Sequence, residues 1–235
     1  YKNNKNTIQK MDLLDYFGKQ VRLVKPDIVS MENVPQLAKE TVFNNFLRLL
    51  ETEGYKVNWK IAFAPAYGIP QNRKRLLLLA SKFEEISFIE ELSTKDYPTI
   101  RQAIGDLPKL NAGETDPLDV LHTARNLSDI NLSRIRSSKP GGTWRDWDDS
   151  LLPECFKKES GATYGSVYGR LEWDKALSLR EGAILQSFPK TYQFINNLDS
   201  FSIQRIATQI GNAVPPKLGE VIGKSILKHL EDYYA

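Results

Sequence analysis

The sequence predicts an α/β domain joined to a smaller, loop-dominated module. Three observations carry that expectation. The chain of 235 residues is 41% hydrophobic and 26% charged, enough for one sizeable core or a core plus a small module. Its first third alternates helix-spaced and strand-like apolar segments. From Pro98 to Gly169 it becomes rich in Gly, Pro, Asn, Asp and Ser, with pieces such as Pro140-Gly141-Gly142 that interrupt regular elements.

Taken in order, Ile8 to Val24 carries Met11, Leu14, Tyr16, Phe17, Val21 and Val24 at mixed spacing, which predicts a helix running into a strand and closing at Pro26. Ile28 to Met31 is short, β-prone and bounded by Pro26 and Pro35, as a buried parallel strand would be, and its carboxyl end delivers Glu32 and Asn33. Val42, Phe43, Phe46, Leu47, Leu49 and Leu50 then repeat at helical intervals up to the stop signal Gly54. Val57 to Phe63 and the leucine run from Arg75 to Ala80 predict two strands, with the loop Pro65 to Lys74 between them. Helical spacing returns over Ser178 to Ser187, ending at Pro189, over Ser202 to Ile210, ending at Gly211, and over Leu218 to Tyr233.

Composition removes several function classes. Cys155 is the sole cysteine and His122 and His229 the sole histidines, so neither a disulfide framework nor a Cys/His zinc site can be built within the chain, and no metal is expected. The longest apolar run, Leu76 to Ala80, is too short to span a bilayer, so a soluble protein of a reducing, cytoplasmic compartment is expected, with no membrane partner. The net charge of +3 permits an anionic partner without demanding one.

Three clusters carry chemistry. Met31-Glu32-Asn33-Val34-Pro35 puts a carboxylate at the carboxyl edge of a strand, where open α/β sheets place ligands, although a capped loop explains the same string. In Gln71-Asn72-Arg73-Lys74-Arg75, strand alternation puts Arg73 and Arg75 on one face, either as a solvated edge or facing a planar or anionic acceptor. Gln209-Ile210-Gly211-Asn212-Ala213-Val214-Pro215-Pro216 makes a tight connection between two helices and presents the Asn212 amide.

In this order, the clusters resemble the C5-cytosine DNA methyltransferase family. Glu32-Asn33-Val34 is similar to its ENV motif, Gln71-x-Arg73-x-Arg75 to its QxRxR motif, Leu177 to Pro189 to its segment ending in LQ-x-FP, here Leu185-Gln186-Ser187-Phe188-Pro189, and the Gln209-to-Pro216 string to its closing motif. The resemblance implies a Rossmann-like methyltransferase sheet, incomplete in this chain, with a smaller target-recognition domain. The expected division is 1–84 for the catalytic part, 85–175 for DNA recognition and 176–235 for a helical return. It implies DNA (cytosine-5-)-methyltransferase activity in a restriction-modification or orphan bacterial setting, with S-adenosyl-L-methionine as cofactor and double-stranded DNA as partner. The target cytosine would be flipped out of the duplex, since its C5 and C6 cannot be attacked while stacked. By the same resemblance, Glu32, Arg73 and Arg75 are catalytic: Glu32 holds the N3/N4 edge of the base, Arg75 its O2, and Arg73 orients the network. Asn212, Ala213 and Val214 would bind the cofactor. Arg134, Arg136, Lys139 and Arg145, interleaved with Trp144 and Trp147, are candidate DNA contacts, each weighed against a solvated or structural role.

Two features depart from the family pattern. Its Pro-Cys nucleophile and glycine-rich cofactor loop precede the ENV motif, and neither occurs here, while Cys155 lies far downstream and reads as an incidental thiol. The chain is therefore expected to begin just after the nucleophile loop, and residues are expected to be missing between Lys175 and Ala176. Two other function classes compete. One is a nucleophile-lacking DNA-binding subunit, inactive or completed by another chain; the leading reading has a monomer on DNA. The other, a generic nucleotide-binding domain, is disfavoured by the lack of a glycine-rich phosphate loop after the visible strands.

Overall fold

A computed structural model describes residues 4–138, 144–153, 176–194 and 202–235, with side chains from Leu13 onward and Asp146 excepted. The chain divides into two compact units, one of residues 1–103, 185–188 and 212–235, the other of 104–184 and 189–211.

The first unit opens with helix α1 (Asn4–Val24), strand β1 (Ile28–Asn33), helix α2 (Thr41–Thr52) and strands β2 (Lys56–Phe63) and β3 (Lys74–Ser81). Residues 8–24 form helix throughout, not a helix running into a strand. Two apolar faces produce the mixed spacing. Leu14 and Val21 are buried and Phe17 packs on the same core, while Leu13, Tyr16, Leu23 and Val24 point outward. In α2, Val42, Phe43, Phe46 and Leu50 form the buried stripe, with Phe46 stacked on Phe17 at 5.5 Å and Phe43 edge-on to Trp59 at 5.2 Å. Gly54, at φ +88, adopts the left-handed turn that ends α2.

The sheet order is β1-β3-β2, with β3 antiparallel to both neighbours. The expectation of a parallel β1 is thereby corrected: β1 pairs antiparallel with β3 and is parallel only to β2, across β3. A short apolar run reports burial, not the direction of the neighbouring strand. The leucine run is continuous because β3 is covered on both faces. Leu76, Leu78 and Ala80 join the α1/α2 core, and Leu77 joins a second core with Ala62, Tyr67, Leu218 and Val221. Leu218 and Val221 belong to the last helix, which covers that second face.

The first unit's opening segment ends in a one-turn helix α3 (Ile100–Ile104), and the second unit then holds a hairpin of β4 (Thr115–Asp116) and β5 (Asp119–Thr123) and helix α4 (Asp129–Ser137). Helix α5 (Leu179–Leu185) passes from this unit toward residues 185–188 of the first. Helix α6 (Ile203–Asn212) precedes helix α7 (Pro216–Tyr234). The start of α5 is tied to the hairpin. Arg180, 7% exposed, forms an ion pair with Asp119 and donates to the Tyr192 carbonyl at 2.8 Å. His122 is buried between Ser178 Oγ at 2.9 Å and the Pro108 carbonyl at 2.8 Å. Since the carbonyl only accepts, His122 Nε2 donates to it. Residues 178–184 thus cluster with the loop-rich unit, whereas the sequence-based division groups them with the helical return to the catalytic part.

Candidate active site

The site is built on the carboxyl end of β1 and the start of β3. Strand β1 extends through Asn33, so Glu32 is a strand residue opposite Leu77, not a loop residue beyond the strand. Arg75 lies two residues before Leu77 on β3, and side chains alternate along a strand, so Glu32 and Arg75 share a face as diagonal neighbours. Arg75 Nε donates to Glu32 Oε1 at 2.8 Å, with the two side chains only 17% and 16% exposed. Arg75 also donates to the Lys74 carbonyl at 2.8 Å, which fixes the guanidinium plane.

Burial dominates the electrostatics of Glu32. It pushes the carboxyl pKa up, against the opposing pull of the Arg75 and Arg73 charges and the Arg75 hydrogen bond. Arg73 sits just before β3 and close enough to act on both partners. Burial and the charge of Arg75 weaken its hold on its proton, Glu32 strengthens it, and a guanidinium remains ionised regardless. The structure therefore brings together the three residues expected to be catalytic.

The loop before Arg73 is a short 3-10 turn, Ala64–Tyr67, closed by Gly68 at φ +75. Only a glycine takes that left-handed position without strain. The Ala64 N–H donates to the Arg73 carbonyl at 2.8 Å, so the loop folds back and starts β3 in register. On the other side of β1, Met31 and Asn33 line a groove of about 530 Å³ together with Leu13, Phe17, Leu37 and Val42. The Asn33 side chain accepts from the Val34 N–H at 2.8 Å, shaping the turn into Pro35.

The closing string forms the α6–α7 connection. Asn212 and Val214 are exposed, Val214 by 42%, and Ala213 is half-buried. The Ala213 carbonyl accepts from Gln186, a residue to which the sequence assigned no role. An exposed amide beside an exposed apolar side chain is a donor set that fits one wall of a site for a ligand with a polar edge and an apolar plane.

The candidate DNA residues fall into distinct settings within the second unit. Arg134 donates through Nε to the Leu151 carbonyl at 2.7 Å and through Nη1 to Asn131 at 2.9 Å, with its guanidinium 5.9 Å from the Trp147 ring. Arg136 is exposed on α4, and exposed Arg145 lies over the Trp144 ring at 5.1 Å. Lys139, Cys155 and Lys175 lie outside the described residues. Among the described residues, no helix is long and apolar enough to cross a membrane.

Residues 2–228 match the family described as C-5 cytosine-specific DNA methylase. The chain belongs to that family. It is 44% identical over 259 residues to a type II methylase, M.HgiDII, of Herpetosiphon aurantiacus, covering 98% of this chain and 73% of that protein. It is 35% identical over 238 residues to a type II methyltransferase, M1.HphI, of Haemophilus parahaemolyticus, covering 92% of this chain and 60% of that protein. The fold matches that of a prophage-encoded DNA modification methyltransferase from E. coli with a TM-score of 0.69, covering 95% of this chain and 75% of that one at 20% identity. The methylase chain thus spans part of the length of each of these relatives, and its α/β unit is an incomplete Rossmann-like fold.

Proposed function

We propose that the protein carrying this chain is a DNA (cytosine-5-)-methyltransferase of the restriction-modification type. It would act in the cytoplasm as a monomer on a specific duplex sequence and methylate a cytosine flipped out of the helix. The observation that carries this reading is the shielded Glu32–Arg75 pair, a carboxyl and a guanidinium fixed side by side on one sheet face.

That pair matches the edge of cytosine, which presents the acceptors O2 and N3 beside the N4 amino donor. Arg75 donates to O2, the atom that gains charge when C6 is attacked. Glu32, whose burial favours the protonated carboxyl, donates to N3 and accepts from N4, drawing electrons away from C6. The two groups bond to each other without substrate, so a base entering the site exchanges one charge-assisted contact for several. Arg73 adds fixed positive charge beside both. S-adenosylmethionine supplies the methyl group when bound; Asn212 and Val214 would contact it from the α6–α7 turn, with Ala213 holding the backbone between them. Arg136 and Arg145, both exposed in the second unit, would meet phosphate or a guanine edge, while Arg134 would hold its own unit together.

Glu32→Gln in the full-length protein keeps the shape and loses the acid. Methyl transfer to cognate duplex DNA is expected to fall by about 100-fold or more, with DNA affinity changed by less than about threefold as judged against one lost hydrogen bond. Equal losses of transfer and affinity would mean that Glu32 is structural.

A further inference from the structure

The Leu185-to-Pro189 string is the one recognised motif to which the proposed chemistry assigns nothing, and the structure gives two of its residues a common target. Gln186 is only 2% exposed, and its Nε2 donates to the Ala213 carbonyl at 2.9 Å. Ser187 adopts φ +69, a left-handed conformation that costs a non-glycine residue. Its Oγ accepts the backbone N–H of Lys217, the second residue of α7, at 3.1 Å. All of these residues lie in the first unit.

The turn they hold is anchored within itself by the buried Pro215, whose carbonyl accepts from Leu218 and Gly219, but has little polar support on either side of the prolines. Pro215 and Pro216 have no N–H to donate, and Pro215, the residue that caps α7, supplies no side-chain bond to the first turn of the helix. Val214 is exposed and does not anchor the turn by packing. Gln186 takes the acceptor before the prolines and Ser187 the donor after them, so the two flank the segment Ala213 to Lys217.

We infer that Gln186 and Ser187 are positioning residues that hold the Ala213–Pro216 turn in the shape that receives the cofactor. This rests on the proposed reading of Asn212, Ala213 and Val214. The strained backbone of Ser187 aims its hydroxyl at α7, and the buried amide of Gln186 keeps the Ala213 carbonyl turned inward, away from the ligand side.

The test uses the full-length protein and three measurements: S-adenosylmethionine affinity by calorimetry, DNA affinity, and amide hydrogen exchange without any ligand. Gln186→Met keeps volume and removes the donor, and is expected to weaken S-adenosylmethionine binding about tenfold with DNA affinity and melting temperature retained. Ser187→Gly tolerates the left-handed backbone and removes only the hydroxyl. It is expected to weaken cofactor binding about threefold and to speed exchange at the Lys217 amide about tenfold in the ligand-free protein. Asn212→Ala serves as the reference for the cofactor site. Wild-type cofactor affinity in both Gln186→Met and Ser187→Gly, while Asn212→Ala weakens it, would overturn the positioning role alone. Equal losses of cofactor and DNA affinity with a lower melting temperature would reduce the pair to fold support and overturn it as well. A wild-type protein that binds no S-adenosylmethionine would overturn the cofactor reading and this inference together.

Discussion

Glu32 is where function and stability pull in opposite directions. Burial raises its pKa in the fold, so the folded protein holds the proton over a pH range in which the unfolded chain has released it. The resulting contribution is present below the ordinary carboxylate pKa and is lost as pH rises through the raised folded value. Glu32→Gln, which mimics the protonated acid, is therefore expected to melt at or above the wild-type temperature at neutral pH, the gap closing as pH falls below the ordinary carboxylate range. Thermal denaturation across pH checks this. A variant that melts lower at neutral pH would mean that the ion pair with Arg75 outweighs burial. A second contrast separates two arginines that look alike in the sequence. Arg134→Ala is expected to destabilise the fold by about 1–3 kcal/mol, because its bonds to Leu151 and Asn131 are lost. Arg145→Ala is expected to lower the salt dependence of DNA binding by about one counterion, read from DNA affinity measured across salt concentration. The cluster of Glu32, Arg73 and Arg75 was legible because these residues fall in strings that resemble ordered family motifs. The commitment of Arg134 was not, since it depends on a carbonyl seventeen residues away that only the tertiary fold brings close.

At the level of elements, the sequence was most informative where one physical cause dominated. The run Leu76 to Ala80 has a single explanation, a strand covered on both faces, and β3 is that strand. Residues 8–24 were harder because α1 carries a second, exposed apolar face formed by Leu13, Tyr16, Leu23 and Val24, which blurs helical periodicity. The direction of β1 was not written locally at all, since pairing partners are set by the whole sheet. One signal in the sequence went unused: Ser178 and Glu181 form a reciprocal capping box at the start of α5. Ser178 Oγ accepts the Glu181 N–H at 3.1 Å, and Glu181 accepts the Ser178 N–H at 2.7 Å. Next to it, the Arg180–Asp119 pair couples α5 to the β4–β5 hairpin. Arg180→Met is expected to cost about 2–3 kcal/mol, below the range for fully buried pairs because Asp119 keeps a quarter of its surface in solvent. A double-mutant cycle with Asp119→Asn in denaturant unfolding measures the coupling. A value near zero would place the pair with ordinary surface ion pairs.

For the molecule as a whole, the α/β unit supplies the sheet edge that holds Glu32 and Arg75, and its last helix supplies the turn around Ala213. The loop-rich unit carries Arg134, Trp144 and Trp147 together with Arg136 and Arg145, proposed above to meet DNA. Family membership was readable because four short strings stand in the family's order between Glu32 and Pro216. Which DNA sequence would be recognised was not legible, because recognition depends on which side chains reach the grooves and no periodic pattern encodes that. In the function proposed above, this chain forms the base-holding part of an enzyme acting on C5 of cytosine. The most direct test incubates the full-length protein with duplex DNA and labelled S-adenosylmethionine, digests the product to nucleosides and identifies the labelled one by mass spectrometry. Label is expected in 5-methyldeoxycytidine and is expected to be lost in Glu32→Gln. Label on the exocyclic nitrogen of cytosine or adenine, or no transfer to any cytosine-containing duplex, would contradict it.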